Sequence, residues 1–189
     1  MHDPASDRLV LRDGSVATVR TSMPADRDAL RRFFHQLSPE SRHRRFFSTA
    51  EPPDRVIDRF ADSSNPADAM TLIASRHSDD AVRPIAVASY TAGTDRSAEA
   101  AFAVADEFQG KGLGTALLER LAAIGAEQGF RWFDATPLTG DPRGTGGALP
   151  LRGSCSSPQH SHVHAQVLRA ADALERLLFE NAQELRGAS

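Results

Sequence analysis

Cysteine occurs once in 189 residues, at Cys155. A single thiol excludes an internal disulfide framework and any cysteine-based zinc cage. Lysine is as scarce: Lys111 is the only one, and every other basic residue in the Lys+Arg count of 22 is arginine. There is no surplus of positive charge either, since 25 acidic residues leave a formal net charge of −3. A dedicated nucleic-acid binder would carry a basic excess. No apolar run approaches the about 20 residues that a membrane span needs. Met1 to Asp13 is charged and holds no apolar signal core. These absences predict a cytoplasmic protein with neither a membrane nor a nucleic-acid partner.

What is present is enough to fold. Forty per cent of the residues are hydrophobic, which can build a core in one domain of this length. Leu9–Leu11, Asp13-Gly14 and Val16–Arg20 read as strand, tight turn, strand. Leu30, Phe33, Phe34 and Leu37 recur at i, i+3, i+4, i+7, the apolar face of a helix. Ser38-Pro39-Glu40 opens a second short helix, and Val56, Ile57 and Phe60 mark a third. The period then shortens. Met70–Ser75, Ile85–Thr91 and Ala98–Ala105 read as a meander of antiparallel strands. A glycine-rich turn over Gln109–Gly114 leads into an amphipathic helix carrying Leu117, Leu118, Leu121 and Ile124. Phe130–Thr136 is a further strand. The strand, crossover helix, strand unit makes it parallel to Ala98–Ala105.

Past Pro137 the composition changes. Residues 139–162 are rich in Gly, Pro, Ser, Arg and His and read as a low-complexity linker. Residues 163–189 carry Val167, Leu168, Ala171, Leu174, Leu178 and Leu185 near one face and read as an amphipathic helix tail. His160, His162 and His164 alternate within the linker and are incidental composition rather than a metal site. Residues 1–138 form the folded domain of this reading. With no strand after it, Phe130–Thr136 would be a bare edge.

Gln109-Gly110-Lys111-Gly112-Leu113-Gly114-Thr115 lies between a strand and a helix. Glycine lets backbone approach a ligand closely. The amides that open a helix lack internal partners and, with the helix dipole, suit a pyrophosphate. The spacing is not that of a Walker loop or of a dinucleotide fingerprint. Residues 98–115, with Gln109, Gly112 and Gly114 in Gln/Arg-x-x-Gly-x-Gly/Ala order, resemble motif A of the GNAT superfamily of N-acetyltransferases. Leu37-Ser38-Pro39-Glu40-Ser41 and Arg45-Phe46-Phe47 resemble the helical region of the Pat-type bacterial protein lysine acetyltransferases.

The resemblance, which runs from about residue 9 to 138, implies an α/β fold. Its sheet is mixed, mostly antiparallel and flanked by helices, with an atypical C-terminal portion in place of the family's last strands. It implies acetyl-CoA as co-substrate. The pyrophosphate would lie on Gln109, Gly110, Lys111, Gly112, Leu113, Gly114 and Thr115. The pantetheine arm would run beside Phe102, Ala103, Val104 and Ala105, with an oxyanion donor at the Val104 amide. It implies direct attack by an amine, a protein lysine being the favoured acceptor. Glu99 stands where Pat-type relatives carry a glutamate and is the first choice for general base. It shares a strand face with Ala101 and Ala103, where a lone carboxylate is poised to take a proton near neutral pH. Glu107 is second and reads as surface. Arg42, Arg44 and Arg45 read as a solvated helix face. Two other readings stay open: a non-catalytic acyl-CoA-binding or regulatory module, and a truncated or frame-shifted inactive product.

Overall fold

The computed structural model describes residues 7–135, apart from 47, 79 and 80, together with 151–154. The strands are β1 (Asp7–Val10), β2 (Val16–Thr21), β3 (Ala69–Ser78), β4 (Ala81–Ala92), β5 (Ser97–Val104), β6 (Trp132–Ala135) and β7 (Leu151–Ser154). The helices are α1 (Arg27–Gln36), α2 (Pro39–Phe46), α3 (Asp54–Ala61) and α4 (Leu113–Glu127). The strands form one sheet in chain order, β1 to β7. Every neighbouring pair is antiparallel except β5 and β6, which α4 connects as a parallel crossover. The mixed α/β sheet expected from the sequence is thus the observed architecture.

The sheet is buried on both faces, and the period of two sorts its side chains between two cores. Leu72, Ala74, Ala86, Ala88 and Tyr90 join Leu117, Leu121, Phe130 and Phe133 under α4. Ile73, Val87 and Ala103 point the other way and meet Leu30, Phe34, Ile57 and Phe60 of α1 and α3. Phe34 anchors that second layer, with Phe33, Phe46 and Phe60 ring centroids at 5.1–5.3 Å. The two halves of the chain are tied by such contacts rather than by a linker.

Three elements differ from the sequence reading. The β3–β4 hairpin is longer, reaching Ser78 and Ala81, because a register shift between Ala74 and Ser75 places Pro84 opposite Ser75. A bulge is where a strand tolerates the missing proline N–H. Helix α4 starts at Leu113, with Gly112 as its left-handed cap. Finally, Leu151–Ser154, expected to lie within a linker, pairs antiparallel with Trp132–Ala135. β6 is therefore not a bare edge: strand pairing needs only backbone groups, and four residues suffice without apolar periodicity. The rest of 139–162, the tail helix and the three histidines of the linker fall outside the described residues.

Candidate active site

β5 pairs with β4 from Ala98 to Val104. Its ladder with β6 covers only Ser97–Glu99. Among the described residues, the edge of β5 away from β4 has no strand partner from Ala100 to Val104. The Ala105 amide donates to the Ile85 carbonyl at 2.9 Å. Backbone polar groups alternate between the two edges of a strand. The amides of Phe102 and Val104 therefore face the edge away from β4, and those of Ala103 and Ala105 face β4. An extended ligand arm laid along that edge meets strand-type donors at Phe102 and Val104. Ala103 offers only its methyl group, which is buried toward α1 and α3.

The glycine turn closes one end of this edge. Gly110 and Gly112 hold φ of 72° and 81°, a region that disfavours side chains. A Cβ on Gly112 would also sit 3.2 Å from Arg12 Nε, whereas one on Gly114 would meet nothing within 4 Å. The amides of Leu113 and Gly114 open the 15-residue α4, where no intrahelical acceptor reaches them and the dipole is positive. The Leu113 side chain, 1% exposed, turns into the core and anchors the turn. Thr115 is half-buried in the same helical turn. Lys111 reaches back, its ammonium 2.9 Å from Asp13 and 5.0 Å from the Phe108 ring centroid. Its carbonyl accepts the Arg12 amide at 3.2 Å. The Ser15 hydroxyl and the Lys111 ammonium hold the Asp13 carboxyl well below the usual carboxylate range. The β1–β2 turn thus braces the glycine turn from behind. Gln109 Nε2 donates to the Val104 carbonyl and to Ser41 Oγ, both at 3.1 Å, and so fixes the turn to β5 and α2. Bare amides, left-handed glycines and a cation make a cradle that fits a pyrophosphate.

Glu99 is the last β5 residue in the described ladder with β6. It is exposed, not enclosed among alanines as its alternation with Ala101 and Ala103 suggested. Directly across from it lie Thr91 on β4 and Asp134 on β6. Arg45 departs most from expectation. It is half-buried rather than solvated: its guanidinium lies 5.0 Å from the Phe46 and 4.9 Å from the Phe60 ring centroid and donates to Ser89 Oγ at 3.1 Å. Arg42 is likewise drawn in, 3.9 Å from Glu51. A row of arginines reads as a solvated face only if the opposite side of the helix is apolar, and α2 lacks such a side.

The family model of the acetyltransferase (GNAT) family matches residues 30–142. This chain belongs to the GNAT family. An acetyltransferase of Pseudomonas aeruginosa is 31% identical over 123 residues, 64% of this chain and 66% of that protein, so the chain spans just under two thirds of that relative. The GNAT domain of S. lividans PAT superposes with a TM-score of 0.69 at 28% identity, covering 82% of this chain and 99% of that domain. The Salmonella typhimurium protein yncA, solved with its cofactor acetyl-CoA, shares the fold at 19% identity and a TM-score of 0.52 over 65% of this chain and 70% of that one. Acetyl-CoA is the co-substrate of GNAT enzymes.

Within this GNAT domain several side chains have structural roles. Tyr90 is buried, donates to the Pro66 carbonyl at 2.7 Å and stacks near Phe130 and Phe133. Glu107 is exposed and paired with Arg83 at 2.6 Å. One residue escaped the sequence reading. Asp106 accepts the Ser38 amide at 3.1 Å, the Ser38 hydroxyl at 2.8 Å and the Ser41 hydroxyl at 2.7 Å. It clamps the start of α2 to the end of β5, next to Gln109. Partial burial alone would raise its carboxyl, but the Ser41 and Ser38 hydrogen bonds outweigh it and leave it below its ordinary value. The Ser38-Pro39-Glu40 start was legible as a helix cap; its partner 68 residues away was not.

Proposed function

We propose that this chain transfers an acetyl group from acetyl-CoA to an amine, a protein lysine being the favoured acceptor, with Glu99 as general base. The observation that carries this reading is the edge of β5 from Ala100 to Val104, which no described strand covers, with Glu99 at one end and the glycine turn at the other. Bound acetyl-CoA supplies an acetyl group activated as a thioester. The chain's own residues do the rest. The amides of Leu113 and Gly114, with Lys111 nearby, hold the pyrophosphate. The Phe102 and Val104 amides orient the arm along β5, and the Val104 amide donates to the carbonyl oxygen as negative charge grows there. Glu99 takes the proton of the incoming ammonium. The amine nitrogen then bonds the carbonyl carbon, the C–S bond breaks, and the sulfur departs as a thiol with the proton that the nitrogen sheds on becoming an amide. The lysine preference rests on the likeness to the S. lividans PAT domain.

Calorimetric titration with acetyl-CoA tests the cradle, with Gly112→Glu as control. Saturable binding by the native chain, lost in the control, is the expected result. A folded native chain that binds nothing sinks the enzyme reading. Thiol release with a short lysine peptide tests the base. Glu99→Gln should slow turnover by about 10²–10⁴-fold while acetyl-CoA still binds. Unchanged turnover removes Glu99 from the mechanism. Binding without turnover by the native chain on any amine favours a non-catalytic acyl-CoA module instead.

A further inference from the structure

Phe108 ends the single helical turn Asp106–Phe108 that leads into Gln109, and it is 2% exposed. Three cations converge on its ring. The Lys111 ammonium lies 5.0 Å from the ring centroid, the Arg76 guanidinium of β3 5.7 Å and the Arg83 guanidinium of β4 5.9 Å. Each distance suits attraction to the negative face of a ring. The cations repel one another, however. Arg76 stands directly opposite Arg83 in the β3–β4 register. Opposed side chains there sit about 5 Å apart, and like charges so placed destabilise a hairpin. The carboxylates at hand do not balance the group. Asp13 takes Lys111 at 2.9 Å, and Glu107 takes Arg83 at 2.6 Å. Among the described residues, no carboxylate pairs with Arg76. Covering a phenyl ring does not require this arrangement, since an aliphatic side chain would do so without repulsion. Both arginines are exposed, so their guanidinium forks are open to a ligand.

We propose that Arg76 and Arg83, gathered with Lys111 on Phe108, form a phosphate subsite that takes the 3′-phosphate of acetyl-CoA and makes the chain selective for it over the dephosphorylated cofactor. This rests on the glycine turn holding the pyrophosphate. In coenzyme A the 3′-phosphate and the pyrophosphate are carried by the same ribose, so the second phosphate comes one sugar away from the first. Lys111 belongs to both places: its backbone is in the glycine turn and its ammonium is at Phe108. A dianion between the arginines offsets the repulsion that the opposed pair carries without it. Arginine suits the task because its planar fork matches two phosphate oxygens at once. The pyrophosphate, by contrast, is met mainly by backbone amides. The two phosphate positions are therefore separable by side-chain substitution.

The test is calorimetric titration of the native full chain and two variants with acetyl-CoA and with 3′-dephospho-acetyl-CoA. The native chain should bind acetyl-CoA at least about tenfold tighter than the dephospho form. Rising salt should shrink that gap, because both arginines are exposed. Arg76→Gln should weaken acetyl-CoA about tenfold and leave the dephospho form within about twofold. Its Tm should not fall, since one of two opposed charges is gone. Glu107→Gln releases Arg83 from its pair and should tighten acetyl-CoA alone. Equal affinity of the native chain for the two cofactors overturns the proposal and leaves the glycine cradle standing. An equal loss for both cofactors in Arg76→Gln, with a lowered Tm, also overturns it and makes Arg76 a cover for Phe108. A folded native chain that binds neither cofactor overturns the cradle reading, and this proposal with it.

Discussion

At the scale of single residues, the site depends on a few side chains whose partners are far off in the chain. Asp106 gathers three donors from Ser38 and Ser41 and sits beside Gln109. Asp106→Asn removes a charged acceptor and turns an amide N–H toward donors. It should cost about 1–3 kcal/mol at neutral pH, read by chemical denaturation. The pH dependence has a definite sign. A carboxyl lowered in the folded state contributes stability above its unfolded value of 3.8 and loses it as pH falls through the folded value. The native chain and Asp106→Asn should therefore differ most at neutral pH and converge in acid below about pH 4. A gap that does not narrow in acid would mean that the carboxylate charge is not what binds α2.

At the scale of elements, α4 carries a glycine where a helix former would be expected. Gly in a helix interior costs about 0.5–1 kcal/mol relative to Ala. Gly125 is retained because a Cβ there would lie 2.8 Å from Phe133 Cζ and 3.0 Å from its Cε1. The helix buys close approach to β6 with that glycine. Gly125→Ala should lower stability by about 1–3 kcal/mol through overpacking, despite the better helix propensity of alanine, and thermal melting checks it. Gly125→Ala combined with Phe133→Leu should recover part of the loss. A stabilised single variant would show that β6 gives way freely.

At the scale of the molecule, one sheet serves two cores. Ile73 is 0% and Val87 1% exposed on the α1–α3 side, while their neighbours Leu72 and Ala88 are buried under α4. The shared strands make the two layers one cooperative unit among the described residues. Ile73→Ala should cost about 2–5 kcal/mol. It should shift the unfolding of both layers together, seen as coincident transitions in far-ultraviolet circular dichroism and in the fluorescence of Trp132. Separate transitions would mean that the α1–α3 layer unfolds alone. Glu99 lies on the α1–α3 side of the sheet and the glycine turn opens α4, so the site is assembled only when both layers are docked.

The sequence by itself determined the kind and order of most elements, the parallel crossover through α4 and the glycine turn, because periodicity, caps and turn chemistry act within a few residues. Gln109, Gly112 and Gly114 were legible for the same reason. Tertiary structure alone decided the rest. Arg45 looked like part of a solvated row and became a half-buried cation against two rings. Glu99 looked enclosed by alanines and stands exposed, opposite Thr91 and Asp134. Asp106 had no signature at all, and β7 came from a stretch without apolar period. In each case the deciding partner is distant in the chain, and the energy of a hydrogen bond or an ion pair depends on which groups meet and how dry the meeting place is. Local pattern carries neither.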